Sequence, residues 1–358
     1  MKPLVFFVDP LWKRDDASHT PLLFPFWGKK FWKNVSFTSG IFERYSFDTD
    51  EYAIVNDIAI ADAILLPYRY DIVRARFPEI VKEAEALSAE HTKMIIIDAI
   101  GDEEYAVPVK NSIVLRYGGY RFLKKPNEII VPPYADDLLE RCRNGILSIR
   151  KKSARPVIGF AGWAEVSLAQ RMRSLLRELP IRARALFDTR YRACRKGIFI
   201  RRRVLDLFSK SDLVEKNFLV RGSYSGNVKT AEKDVGLLRN EFVENALASD
   251  LALDIRGDAN ASTRLFEILS LGRVPLIIDT ERNFPFSEKI DYESFSIIVD
   301  QSDIAQLPRI ARGAYDALSE AQWEDMQRKA RAAYQEWFRV DVMTKHLMRA
   351  IRKKIEAH

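Results

Sequence analysis

Apolar residues in this chain fall into short, unalternating runs of strand length. In the first half these are Leu4 to Val8, Ala63 to Pro67, Met94 to Asp98, Ser112 to Leu115 and Glu128 to Val131. In the second half they are Pro156 to Phe160, Phe218 to Val220, Leu251 to Ile255, Val274 to Ile278 and Phe295 to Val299. Runs of this kind, bounded by Gly, Pro or charge, predict strands buried on both faces. Helical spacing fills the intervals. Pro78 opens a helix to His91 with Ile80, Val81, Ala84 and Leu87 on one face, and further helices are predicted over Ser167–Leu179, Asp206–Leu213 and Asp234–Ser249. The last of these turns Val235, Leu238, Phe242, Ala246 and Leu247 inward. From Ser302 to His358 the pattern is helical almost throughout, ending in Val342–Ile355 with Met343, Leu347, Ile351 and Ile355 at spacing four. Alternating strands and helices predict an α/β protein with doubly wound parallel sheets.

The chain has 358 residues, too many for one ordinary domain and enough for two of roughly 150 to 180 each. Pro132-Pro133 and the basic stretch Arg150 to Pro156 point to a boundary, giving a first domain over 1–150 and a second over 151–339. Between Leu11 and Phe37 lies a long loop carrying Trp12, His19, Phe24, Phe26, Trp27, Phe31 and Trp32. Loops at the carboxyl ends of parallel strands bind ligands in such folds, and aromatic side chains there stack on sugar rings or plug the space between domains.

Charge changes the picture in one place. The net charge of +7 is concentrated between Arg150 and Arg203, where 16 Lys and Arg face 3 acids; the remainder holds 41 against 47. A basic segment of this kind meets nucleic acid, anionic lipid or an anionic substrate, or is a solvated face. Two cysteines, Cys142 and Cys194, make neither a disulfide framework nor a metal site, which suits a reducing compartment. The opening MKPLVFFVDPLWKRDD is apolar only from Leu4 to Val8, so neither signal peptide nor anchor is expected, and no run approaches the roughly 20 residues of a membrane span.

The most informative stretch is Leu251 to Asp279, a strand-loop-helix-strand unit. Its helix carries Leu265, Ile268, Leu269 and Leu271 and closes at Gly272, where a C-cap belongs. The loop Arg256-Gly257-Asp258-Ala259-Asn260-Ala261-Ser262-Thr263-Arg264 is small, polar and glycine-bearing where strand passes to helix. A helix N-terminus there offers N–H groups and a positive dipole end to a phosphate, and Arg264 adds a forked donor. Glu267 lies one turn on. It pairs with Arg264 at i,i+3, or accepts hydrogen bonds from a ribose while Ser262, Thr263 and Arg264 hold a diphosphate.

These residues carry a resemblance. Arg256-Gly257, Ser262-Thr263-Arg264-Leu265-Phe266-Glu267, Gly272-Arg273-Val274-Pro275-Leu276 and Pro285-Phe286-Ser287-Glu288 reproduce, in order, the core pattern of the exostosin-like glycosyltransferases, family 47 of the glycosyltransferases. The chain from Glu241 to Val299 resembles that core closely; Ala61 to Pro67, Ile130 to Tyr134 and Phe160 to Gly162 with Arg173 resemble it more weakly. The resemblance implies a GT-B fold, in which two Rossmann-like domains face a cleft, the first on the acceptor side and the second holding the donor. It also implies that the C-terminal helix, 340–358, crosses back to the first domain. An activated nucleotide sugar, usually linked through UDP, and inversion without an essential metal or other cofactor are implied with it. On that footing the donor is expected against Arg173, Tyr224, Arg256, Gly257, Ser262, Thr263, Arg264 and Glu267. Eukaryotic exostosins are anchored in the Golgi membrane. This sequence departs from them, and the expectation is a cytoplasmic, bacterial relative, peripheral at the inner face of the membrane if the basic 150–203 segment meets anionic lipid.

Single displacement requires a general base on the far side of the sugar, hence from the first domain. Asp9, Asp16, His19 and Glu43 are the candidates. Asp48-Thr49-Asp50 imitates the Asp-X-Asp metal motif of another glycosyltransferase fold, but no apolar strand precedes it. Three functions are open: transfer of a sugar from a nucleotide to a glycan or lipid-linked glycan in surface polysaccharide synthesis, a catalytically silent glycan-binding or scaffold domain, and nucleic-acid binding through the basic segment. The intact Ser-Thr-Arg-x-x-Glu set argues against the second, and the lack of a recognition module against the third.

Overall fold

Strands too apolar to face water pair into two separate parallel sheets in the computed structural model, which describes residues 2–30, 38–101, 105–165, 168–223, 234–257 and 259–358. At 38, 39, 168–171, 173 and 177 it describes the backbone alone. The first sheet comprises β1 (Leu4–Phe7), β2 (Tyr52–Val55), β3 (Ala63–Leu65), β4 (Met94–Asp98), β5 (Ser112–Arg116) and β6 (Glu128–Ile130), in the order β2-β1-β3-β4-β5-β6. The second comprises β7 (Val157–Trp163), β8 (Glu215–Arg221), β9 (Leu251–Asp254), β10 (Val274–Asp279) and β11 (Ile297–Asp300), in the order β11-β10-β9-β7-β8. Every pairing is parallel, which is why the connections are helical crossovers and why the interior strands read as continuous apolar runs; the run Phe218–Val220, expected to be buried on both faces, lies instead on the edge strand β8, where Leu219 and Val220 are exposed. The architecture is the expected α/β fold of two Rossmann-like lobes.

Local departures have local reasons. β2 went unpredicted because its four residues sit behind an acidic stretch on a sheet edge, with three of them only half buried. The helix expected at Asp206–Leu213 instead spans Gly197–Ser209, its buried face built from Ile198, Ile200, Val204, Leu205 and Phe208; the run Arg201-Arg202-Arg203 hid that periodicity. The helix expected to stop at Leu179 runs from Leu168 to Phe187 through Pro180, which removes one N–H but does not force an end.

Each sheet has its own core. Phe6, Ile64, Ile96 and Val114 lie in the first, together with Val340, Met343, Leu347 and Ile351 from the helix Val340–Glu356. Those four share one helical face, so the C-terminal helix belongs to the first lobe. Thr344 and Arg352 of the same helix bond to the backbone of Asp48 and Lys2. In the second core Ile158, Leu253, Leu276, Ile278 and Val299 pack against Val204, Phe208, Leu307 and Trp323. The boundary expected near residue 150 needs correction. Tyr134 is in the first core, but Leu138 and Leu139 pack on Ala246, Ile268 and Leu271, and Arg331 makes a buried ion pair with Asp137 at 2.7 Å. The changeover therefore precedes the helix Leu138–Arg143, which is fastened to the second lobe.

The lobes meet along the loop after β5. Tyr120 bridges Arg282, Gly119 O accepts from Asn283 N at 3.1 Å, and Arg121 N donates to Glu281 O at 2.8 Å. Arg121 also reaches Asp279 at 2.7 Å. Gly118 has φ +92, and a Cβ there would lie 2.5 Å from the carbonyl oxygen of Asn260, so only glycine lets the lobes approach this closely.

Candidate functional site

The crossover helix Thr263–Ser270 joins β9 to β10, and its N-terminus stands at the carboxyl end of β9. Its apolar side, Leu265, Phe266, Ile268 and Leu269, is buried, which fixes the direction in which the N-terminus points. Gly272 ends the helix with φ +62, and Gly272 N donates to Leu269 O at 2.9 Å, as the position after the last turn requires. Thr263 is exposed at the first turn and Arg264 half-buried beside it.

Arg264 is held from several sides. Its Nη2 donates to Ala161 O at 2.9 Å, and its guanidinium lies 4.5 Å from the Phe160 ring centroid and 5.9 Å from that of Phe242. It passes over Gly162, where a Cβ would come within 2.4 Å of Nη2. Glu267 does not pair with Arg264 as the i,i+3 spacing allowed. Its Oε1 accepts from Arg239 Nη1 at 2.6 Å, a buried charge-assisted bond from the neighbouring helix Val235–Leu247. Arg239 and Gly162 thus belong to the site although spacing alone did not single them out, because their partners Glu267 and Arg264 are distant in sequence.

Ser262 heads the helix without capping it. Its hydroxyl donates to Asp254, whose other oxygen accepts from Arg282 Nη1 at 2.5 Å, and all three are buried. The helix N-terminus is therefore tied to the ends of β9 and β10 by a desolvated ion pair that sequence reading missed. Arg282 also has buried Nε and Nη2 atoms with no hydrogen-bond partner among the described residues.

Several predicted residues take other roles. Arg256 was expected on the phosphates or the sugar, but its guanidinium is fully buried under the Tyr120 ring and donates to the carbonyls of Ala193, Arg195 and Gly257. It holds the end of the 3-10 helix Thr189–Cys194 and Arg195 against the loop after β9, where Gly197 packs on the Gly257 carbonyl so closely that a Cβ would lie 2.2 Å from it. Gly257 contributes that backbone contact. His19, a base candidate, is a core residue: Nε2 donates to Gly28 O at 2.7 Å, and the ring meets Phe24 and Trp27 edge-on. Burial, partly offset by that hydrogen bond, holds its pKa below the usual imidazole value. Asp9 caps the turn Pro10–Trp12 by accepting from Leu11 N at 2.8 Å; Asp16 pairs with Arg76; Glu43 is exposed. Tyr224 and Asp258 lie outside the described residues, as does the side chain of Arg173.

A cleft of about 740 Å³, lined by Arg182, Arg190, Arg192, Arg195 and Arg203 with Glu281 and Asp300, includes none of the predicted donor residues in its walls. Volume alone is a weak guide to a diphosphate site: the crossover helix offers fixed backbone donors, whereas these walls are long, exposed side chains. Among the described residues no cluster of three or more His, Cys, Asp or Glu is placed to hold a metal ion.

Residues 187–313 match the model of the Exostosin GT47 domain. Over 119 residues the chain is 31% identical to the Exostosin-1 homolog of Caenorhabditis elegans, which covers 33% of this chain and 30% of that protein. The chain thus spans less than a third of that relative's length. Among solved structures, a glycosyltransferase from Rickettsia africae ESF-5 is similar at 11% identity and TM-score 0.37, over 82% of this chain and 77% of that one. Anabaena Alr3699/HepE, in complex with UDP and glucose, is similar at 8% identity and TM-score 0.32 over 100% of both chains. Likeness this distant bears on no residue of the site. The family match does, because it takes in β8 to β11, the crossover helix, Arg239, Arg256, Ser262, Arg264, Glu267 and Arg282. From residue 187 to residue 313, the greater part of the second lobe, this chain is similar to the Exostosin GT47 domain.

Proposed function

We propose that the protein is an inverting, metal-independent glycosyltransferase that moves a sugar from a nucleotide donor, UDP-linked, to a hydroxyl of a glycan or lipid-linked glycan in surface polysaccharide synthesis. The observation that carries this reading is the crossover helix of the exostosin domain. Its N-terminus, with Thr263 exposed and Arg264 clamped between Ala161 O and two aromatic rings, is built to meet an anion at a fixed position. As the bond to the leaving diphosphate breaks, negative charge grows on its bridging oxygen. Backbone N–H groups and the Arg264 guanidinium, already oriented, stabilise that charge without reorganising. Glu267, steadied by Arg239, keeps one carboxylate oxygen to accept from a ribose hydroxyl. The acceptor's proton goes to a carboxylate of the first lobe, for which Asp9, Asp16 and Glu43 remain the candidates once His19 is placed in the core.

The burial of His19 favours a second reading, a silent domain that binds nucleotide or glycan without transfer. Melting temperature in the presence of a panel of nucleotides and nucleotide sugars tests the first. A ligand at one hundred times its Kd stabilises the folded form by about 2.7 kcal/mol. UDP or a UDP-sugar is expected to raise the melting point with or without EDTA, and Arg264→Ala and Glu267→Ala to abolish the rise. No stabilisation by any nucleotide would sink the proposal; stabilisation without turnover of any donor would leave the silent reading.

A further inference from the structure

Large apolar side chains exposed singly are ordinary on protein surfaces, but here several gather on one helix. On Leu168–Phe187, Met172, Leu176, Leu179, Leu186 and Phe187 are all exposed, Leu186 at 83% and Phe187 at 93%. With Ala183 they recur at steps of three and four and so form one continuous stripe down the solvent side. The opposite side fastens the helix to the lobe: Glu178 is buried, accepts from Lys196 N at 2.8 Å and pairs with Arg182 at 3.5 Å. That anchorage sets which face looks outward. The sequence of the helix holds Arg171, Arg173, Arg177, Arg182 and Arg184 against Glu178 as its one acid. Arg182 and Arg184 are exposed, and Arg182 and Leu186 also line the arginine-rich cleft, where Arg192, Arg195 and Arg203 have no ion-pair partner among the described residues.

An apolar stripe covered by another protein would be expected to be ringed by mixed charge. This one is flanked mainly by positive charge, Arg182 and Arg184 on its own helix and Arg192, Arg195 and Arg203 across the cleft, in the segment that holds all of the chain's excess. That combination suits a surface with an apolar interior and an anionic boundary. We propose that the helix Leu168–Phe187 docks the protein on an anionic lipid bilayer, lying in the interface plane with Met172, Leu176, Leu179, Leu186 and Phe187 sunk among the acyl chains and the arginines at the headgroups. Leu186 and Phe187 end the stripe beside the cleft, so docking brings the cleft to the lipid surface, where a lipid-linked acceptor would present its anionic linkage. The docking itself stands apart from the donor-site reading, which is tested by nucleotide binding in the absence of lipid.

Flotation with vesicles tests it. The full chain is mixed with vesicles of phosphatidylcholine alone or of equal parts phosphatidylcholine and phosphatidylglycerol, at low and high salt, beside the variant Leu186→Gln/Phe187→Gln. Both substitutions are at exposed positions, so folding is expected to be unchanged, checked by circular dichroism and by an unaltered response to UDP. The wild type should float with the anionic vesicles, less with neutral ones and less at high salt. Loss of two large apolar side chains should weaken the variant's binding roughly a hundredfold or more. A Phe187→Trp reporter should show blue-shifted emission on addition of anionic vesicles. The proposal is overturned if the wild type stays in solution with both vesicle types or if the double variant floats equally well. It is overturned too if the stripe instead drives concentration-dependent dimers in analytical ultracentrifugation that the variant abolishes while lipid goes unbound.

Discussion

Gly162→Ala separates the position of Arg264 from its presence. A Cβ at 162 would stand 2.4 Å from Arg264 Nη2, 3.5 Å from Cζ and 3.7 Å from the Phe160 ring. Carbon contacts settle at about 3.5 Å or more, so the guanidinium must retreat by roughly 1 Å. It is the free end of a long side chain and can do so, giving up the Ala161 O bond, which is worth about 0.5–1.5 kcal/mol. The backbone at φ +156 adds strain of about 1–3 kcal/mol for a residue with a Cβ. The variant should therefore fold, with a lowered melting temperature. Binding should suffer more specifically: a hydrogen bond to a charged group contributes about 1.5–3 kcal/mol, so misplacing Arg264 should raise the Kd for UDP about 10- to 150-fold by titration calorimetry. Because both substitutions act through one guanidinium, Gly162→Ala on top of Arg264→Ala should cost nothing further. Native UDP affinity in a folded Gly162→Ala protein, or losses that add in the double variant, would refute the clamp.

Two other predictions concern the scaffold. Arg282→Met strands the buried Asp254 carboxylate and should cost about 3–5 kcal/mol in denaturant unfolding, and Asp254→Asn added to it should restore part of the loss; an unchanged midpoint would mean that the pair is solvated. His19, depressed in the fold, is neutral there and protonates more readily when unfolded, so it supports stability fully above the unfolded value of about 6.5 and loses that support as pH falls from there toward its folded pKa. His346, also lowered by burial, acts in the same direction. His19→Asn should flatten the slope of stability against pH over this window relative to wild type, and an unaltered slope would contradict the burial argument.

Much of this protein was legible along the chain. Strands buried on both faces must be continuously apolar, so the runs at Met94–Asp98 and Val274–Asp279 showed themselves and, alternating with helical periods, determined the parallel α/β class. The crossover from Leu251 to Asp279 was readable for the same reason, with Gly272 marking the helix end through a backbone angle other residues resist. Spacing could not decide which charge meets which. Glu267 and Arg264 are neighbours by period, yet Arg239 takes the carboxylate and Ala161 O takes the guanidinium, because packing of adjacent helices and strands brings distant groups closer than the i,i+3 partner. Arg256 and His19 carry residue types that do chemistry in exposed places; tertiary burial turned both toward backbone carbonyls, since a desolvated donor must be satisfied by what lies within reach. Local sequence determined where the helix N-terminus would be. Only the folded chain decided that Gly162, Asp254 and Arg282 hold it there: Gly162 meets Arg264 and Arg282 meets Asp254 across more than twenty residues, and the eight-residue step from Asp254 to Ser262 spans a strand end and a loop, so none leaves a periodic trace.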